Sequence, residues 1–207
     1  MTTSQSEEQL TFAAAIEAID AANSADPTLI EIEGTAVPYE LFYARQLTRW
    51  VETLKPDAST ALRLAARCQH ICRWVMPRKS YPMTRPGYLK WRADLKQFHA
   101  QKSAEILTQA GYSPELIARV RSLNLKENLG KDEELQTLED ALCLVTLQYQ
   151  LADLIRKTEP EKLTTILQKT WKKMSPAGHK LALTIAYTEE QKRVLETALA
   201  PAPSPET

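Results

Sequence analysis

The stretch WRADLKQFHA, residues 91–100, decides the fold class. Arg92, Lys96 and His99 recur three or four residues apart, with Tyr88 one turn earlier, which is the spacing of one helix face. The stretch ALRLAARCQHICRW, residues 61–74, places Arg63, Arg67, His70 and Arg73 or Trp74 on a stripe with the same spacing. Five Gly stand against 12 Pro, and Ala, Leu, Glu, Gln, Lys and Arg are abundant. These are the good helix formers, so the chain is expected to be all-α. The periodicity predicts a single domain over residues 1–200, a bundle of about seven to nine helices. The composition of residues 201–207 predicts a disordered tail.

Working outward, helical pattern runs from Glu7 to about Ala22 and breaks at NSADPT (23–28), where Asp-Pro disfavours helix. LIEIEGTAVP (29–38) is the one β-like piece. Helices are expected over Pro38–Leu54, over 59–75, and from near Pro86 to just before Gly111. Ser113-Pro114-Glu115 opens another, reaching about Glu127, because Ser caps, Pro suits the first turn and an acid complements the dipole. One long helix is expected from Asp132 to Lys157, another from Thr158-Glu159-Pro160 to Lys173, a short one within 175–186, and a last one from Thr188 to about Leu199.

The net charge of zero conceals an asymmetry. Between residues 61 and 102 there are ten cations and one acid, Asp94. Clustered Lys and Arg focus potential on phosphate or carboxylate groups. Arg67, Arg73, Arg78, Arg85, Arg92 and Lys96, with Tyr81 and Tyr88, are the candidate phosphate-binding set; guanidinium forks and tyrosine hydroxyls suit phosphate and sugar. His70 and His99 each have cations one turn away, which favours neutral imidazole, the form that ligates a metal or acts as a base. In LQTLEDALCLVTL (135–147), Glu139 and Asp140 lie within an apolar run. Carboxylates there must be paired, protonated or bound to a cation, and an arginine partner is as good a reading as a functional one.

Cys68, Cys72 and Cys143 form no disulfide framework, and buried thiols are expected. A reducing compartment, the cytoplasm, fits; the polar, acidic N-terminus does not read as a secretory signal, and no apolar run has the length of a membrane span. His179 is expected at the surface. Of the four tryptophans, Trp91 is kept as a base-stacking candidate. KKMSP (172–176) is similar to the lysine loop of class I aminoacyl-tRNA synthetases. No Rossmann unit accompanies it, so chance is the better explanation.

The order His70, His99, Asp140, all on helices, resembles the HD superfamily of metal-dependent phosphohydrolases. That resemblance implies an HD-like core and a divalent metal (Mn, Fe, Zn or Mg) held by His70, His99 and Asp140. Glu139 and Asp140 would then be the catalytic carboxylates. Ala100 departs from the pattern, because the doublet requires Asp there; a standard two-metal site is lost and a one-metal site is what the resemblance leaves. A more specific likeness rests on RLAARCQHICRWVMPRKSYPMTRPGYLKWRADLKQFHA (63–100), GY (111–112), DEELQTLEDALCLVTL (132–147) and KTWKKMS (169–175). Over most of residues 40–175 these resemble the family called domain of unknown function 4202, which itself reads FHA at the second histidine. That family implies no reaction. Two classes therefore stand side by side: a phosphohydrolase of a small phosphorylated metabolite or nucleotide, and a non-catalytic protein that binds a nucleotide or other anion, with RNA binding a variant. A scaffold whose basic helices pair with KDEELQTLED (131–140) is a third.

Overall fold

A computed structural model describes residues 3–200; the tail expected at 201–207 lies outside the described residues. Helix dominates, as the composition requires, and the contacts divide the chain into two compact units, Met1–Leu138 and Glu139–Thr207. None of the described helices is long and apolar enough to cross a membrane.

The first unit opens with α1 (Thr3–Ser24). The β-like piece becomes a two-stranded antiparallel hairpin, β1 (Leu29–Ile32) and β2 (Thr35–Pro38). Its two turn residues, Glu33 and Gly34, both have positive φ, as a tight primed turn requires. Asp26 ties the hairpin to the next helix, α2 (Tyr39–Leu54). Its Oδ1 accepts from the Thr28 amide and its Oδ2 from the Glu40 amide, each at 2.9 Å. That carboxylate satisfies an amide at the start of α2 that has no partner within the helix.

α3 covers Thr60–Cys68 and is capped by Ser59. The helix expected to reach residue 75 stops at Cys68. Residues 69–72 form a turn in which Cys72 takes a left-handed conformation, φ 52° and ψ 34°, before a 3-10 turn over Arg73–Val75. The physical reason lies far away in sequence. The Cys72 amide donates to Asn23 Oδ1 at 3.1 Å, and the Ile71 carbonyl bonds His99 Nδ1 at 2.8 Å. Side chains of α1 and of the next helix thus take over hydrogen bonds that helix continuation would have made.

That next helix, α4 (Arg85–Gln109), is capped by Thr84 and packs on α5 (Pro114–Leu125), α3 and α1. The proline-rich loop before it is held by Arg78, whose guanidinium donates to the carbonyls of Tyr81 and Pro82 at 3.1 and 2.8 Å. The loop returns so close that a Cβ on Gly87 would lie 2.2 Å from the Pro82 carbonyl oxygen. Arg119 on α5 then clamps Asp132 and Glu134 at the start of α6 (Glu133–Val145), in which the division between the units falls. Leu47, Leu62, Leu64, Ile71, Leu107 and Leu123 are fully buried in this unit.

In the second unit, the single helix expected to Lys157 is interrupted. A π turn over Thr146–Gln150 separates α6 from α7 (Leu151–Lys157). The Thr146 hydroxyl donates to the Leu142 carbonyl at 3.0 Å, the back-bonding that disturbs a regular helical ladder. α8 (Pro160–Lys173), α9 (Pro176–Ala182) and α10 (Glu189–Leu199) follow, the last with a reciprocal Thr188–Gln191 capping box. Ser175 and Pro176 of KKMSP are the cap and first residue of α9, which accounts for that motif locally.

Gly87→Ala is expected to destabilise the full chain by about 2–3 kcal/mol, because backbone rather than a flexible side chain blocks the new methyl. Denaturant unfolding of both proteins measures it.

Candidate anion-binding site

The turn at 69–72 gathers an unusual set of polar groups in the first unit. Three buried side chains each meet one of its residues: Asn23 at Cys72, Glu40 at His70 and His99 at Ile71. Each keeps one buried atom without a hydrogen-bond partner: Asn23 Nδ2, Glu40 Oε2 and His99 Nε2. Gln69, in the turn itself, adds its unpartnered Oε1. Buried polar atoms are normally satisfied by protein, ordered water or a bound group, which makes these residues the candidate site.

His99 is 4% exposed. A carbonyl oxygen can only accept, so the bond to Ile71 fixes the proton on Nδ1. Burial pushes the ring's pKa down to about 4; the Ile71 bond opposes this and Arg73 adds to it. The imidazole is therefore neutral near pH 7, and its Nε2 is a bare lone pair facing no donor. His70 lies beside it, with ring centroids 5.8 Å apart, and stacks on Tyr43 at 4.4 Å. Its pKa is also held well below the ordinary range, first by burial, then by Arg73, His99, Lys126 and Arg92. Neutral histidines were expected from neighbouring cations; burial is the larger cause.

Glu40 completes the group. It is 4% exposed, its Oε2 lies 3.8 Å from His70 Nδ1, and its Oε1 lies 4.0 Å from Arg73 Nε. Burial pushes its carboxyl up to about 8; Arg73 pulls it down and Asp26 pushes it up. At neutral pH this is a carboxylic acid, able to donate as well as accept. Nothing in PYELF (38–42) distinguishes it from an ordinary acid in a first helical turn, and sequence reasoning missed it, along with Asn23, Gln69 and Lys126.

The expected phosphate-binding residues separate into two kinds. Arg67 is bound through Nε and an Nη to both oxygens of Asp20, at 2.7 and 2.8 Å, and Arg78 is occupied by loop carbonyls. Tyr81 donates to Asp94, and the Tyr88 hydroxyl accepts from Arg92. Arg73 and Arg92 bear on His70. Arg85 is exposed at the first turn of α4, and Lys96 is half-buried on the same helix. Trp91, kept as a stacking platform, is a buried packing residue instead: its indole donates to the Met76 carbonyl at 2.8 Å and Arg73 lies over its ring.

Glu139 and Asp140 belong to the second unit and are buried there. Asp140 accepts from both the amide and the hydroxyl of Ser175, and the missing side chain of Gly178 makes room for it, since a Cβ would come within 2.8 Å of Asp140 Cγ. Asp140 thus anchors the start of α9. His179, expected at the surface, is half-buried, stacked on Trp171 at 4.1 Å, with Nε2 bonded to that residue's carbonyl. The three cysteines are free and buried, as expected.

The family scan matches residues 13–195 to the model described as a domain of unknown function (DUF4202). The chain belongs to the DUF4202 family. No curated protein and no solved structure matches it. The metal implied by the HD resemblance can be tested against the donors themselves. His99 offers a bare buried nitrogen, but Asp140 already accepts both Ser175 donors. Among the described residues, no group of three or more His, Cys, Asp and Glu could hold a metal ion. Within the first unit, His70 and His99 supply two of the three protein ligands that such a site needs.

Stability should report the Glu40 proton. Between about pH 4.5 and 8 the unfolded chain has released it and the fold retains it, so this group's contribution falls as pH rises. His70 and His99, protonated in the unfolded chain below about pH 6.5 and neutral in the fold, act in the opposite sense. A net fall is therefore expected from about pH 6.5 to 8, levelling off above. Glu40→Gln should remove the decline and raise Tm at pH 9 by at least about 3 °C relative to the wild type, with a much smaller difference at pH 4.5. Melting curves from pH 4.5 to 9 check this.

Proposed function

We propose that this DUF4202 protein binds a small phosphorylated metabolite or nucleotide at the His70–His99 site and acts on it as a phosphohydrolase. The observation that carries the reading is the buried, unpartnered Nε2 of His99 next to a histidine on which Arg73, Arg92 and Lys126 bear. Guanidinium groups supply the phosphate contacts, and a phosphate that they neutralise can enter a low-dielectric pocket. A neutral imidazole at His70 beside a protonated carboxyl at Glu40 suits proton transfer: one group takes a proton from attacking water, the other returns one to the leaving oxygen. The order of the histidines and their helical setting keep an HD-like core as part of the proposal. Metal dependence rests on that resemblance alone.

A small ligand is favoured over RNA by how the cations are used. Arg63, Arg67, Arg78 and Lys90 of the basic segment are engaged by internal acids or carbonyls. They do not form an open stripe for a phosphate backbone.

Inorganic phosphate and nucleoside monophosphates should raise the Tm of the wild-type chain, and Arg73→Gln should weaken that response at least about tenfold in ligand concentration. Turnover on a panel of phosphomonoesters and diesters, with and without manganese, then tests catalysis. Metal content of protein isolated without a metal-binding tag, compared with His99→Asn, which keeps a donor for the Ile71 carbonyl, tests the metal. Absence of any ligand response in the wild type would overturn the proposal.

A further inference from the structure

A cleft of about 320 Å³ lies elsewhere in the first unit, walled by α1, α2 and α3. Phe12 and Ile16 of α1 give it an apolar wall. Arg45 and Arg49 of α2 stand one helical turn apart, as do Arg63 and Arg67 of α3, so all four guanidiniums border the same space. None of His70, His99, Glu40 and Arg73 lines it, and it is therefore separate from the His70–His99 site.

Its charge is unbalanced. Asp20 takes Arg67 through Nε and an Nη at 2.7 and 2.8 Å, and also takes Arg45 at 3.1 Å. Glu52 takes Arg63 at 3.0 Å. Arg49 is exposed and has no acidic partner among the described residues. Four guanidiniums thus share two carboxylates, an excess of two positive charges. A guanidinium carries more N–H groups than these bonds use, so the paired arginines still have donors to give. They are also held in place: Asp20 grips Arg67, which is 12% exposed, and Arg63 lies over the Phe12 ring at 4.3 Å. Side chains already fixed lose little freedom when a ligand arrives.

We infer that this cleft binds a small organic anion, its charged group at Arg45 and Arg49 and its apolar body against Phe12 and Ile16. The excess positive charge repels a metal cation. A neutral apolar molecule would strip water from the guanidiniums and return no hydrogen bond. An inorganic anion would meet the guanidiniums and leave the apolar wall in water. A molecule with both parts answers both demands, and a carboxylate or a phosphate supplies the charge, since each matches the guanidinium fork. The volume is that of roughly ten water molecules, which suits one ring or a short alkyl chain with its charged group.

Calorimetric titration of the full chain with benzoate and with phenyl phosphate tests this. Acetate and inorganic phosphate are the matching anions without the ring, and benzyl alcohol is the ring without the charge. Each titration is repeated in Arg73→Gln, which weakens phosphate binding at His70–His99 and lies outside the cleft. In both chains each aromatic anion should bind about tenfold or more tightly than its ringless counterpart, the worth of roughly 55 Å² of apolar surface covered. Benzyl alcohol should give no response, and the tighter of the two aromatic anions names the charged group. Arg49→Gln should keep the wild-type Tm and weaken both aromatic anions at least about threefold. Adding Arg45→Gln cancels the charge excess and should bring the loss to tenfold or more, with the dependence on salt reduced. Absence of binding by either aromatic anion would overturn the inference, and so would equal binding with and without the ring. Binding unchanged in the double variant, or lost in Arg73→Gln alone, would overturn it as well. The last outcome would place the ligand at His70–His99; the others leave the reading of that site untouched.

Discussion

A four-residue turn that cannot satisfy its own backbone holds the candidate site in place. Residues 69–72 leave the helix before its pattern ends, and the groups so released are answered by Asn23 from α1 and His99 from α4. Each answering side chain spends one polar atom on the turn and retains another. Asn23 gives its oxygen and keeps its nitrogen; His99 gives Nδ1 and keeps Nε2. The same hydrogen bonds that end α3 therefore create the unsatisfied atoms of the site. Stability and function draw on one set of residues, which is why removing His99 outright is a poor functional probe and an isosteric change is a better one.

Glu40 shows how electrostatics follow from this packing. A buried carboxylate beside an arginine would ordinarily ionise and pair. Here the approach to Arg73 stays at 4.0 Å, and a second carboxylate, Asp26, already occupies the start of α2. Burial wins over the distant guanidinium, and the proton stays. The neighbouring histidines stay neutral as well, first by burial and then by Arg73. Three titratable groups of net charge near zero, with Arg73 beside them, make a buried polar cluster that is not a chain of ion pairs.

Much of the fold was legible because its signals are local. Ser59, Ser113 and Thr188 cap helices where the sequence says they should, the hairpin falls on the one β-like segment, and Gly111 follows the end of α4. The two failures come from competing hydrogen bonds of different range. Both the end of α3 and the break at Thr146 lie within continuous helical pattern. At α3 the competing hydrogen bonds come from Asn23 and His99, far outside any local window. At Thr146 the competitor is that residue's own hydroxyl, bonded to the carbonyl four residues back, which helix propensity does not register. The site was half legible. His70, His99, Arg73 and Arg92 were found because histidines and cations shared helical stripes. Glu40 was not, because an acid in a first helical turn has an ordinary explanation; only burial makes it unusual. Asp140 stood out as a carboxylate in an apolar run, and its Ser175 partners lie 35 residues on, where no spacing rule points.

The π turn at Thr146–Gln150 carries a consequence for how this family can vary in length. A wide turn holds one residue more than the regular helix on either side needs, so a chain lacking one residue there could close the gap as ordinary α-helix. Without the wide turn, Leu151 and the residues after it would be turned about the helix axis by roughly 100° relative to Ala141 and Leu144, one residue's step in a 3.6-residue helix. Leu151 is fully buried, and that rotation would take it off its face. Relatives that keep the apolar pattern on both sides should therefore keep the same number of residues between them, and a change in that number should come with a shifted pattern in α7.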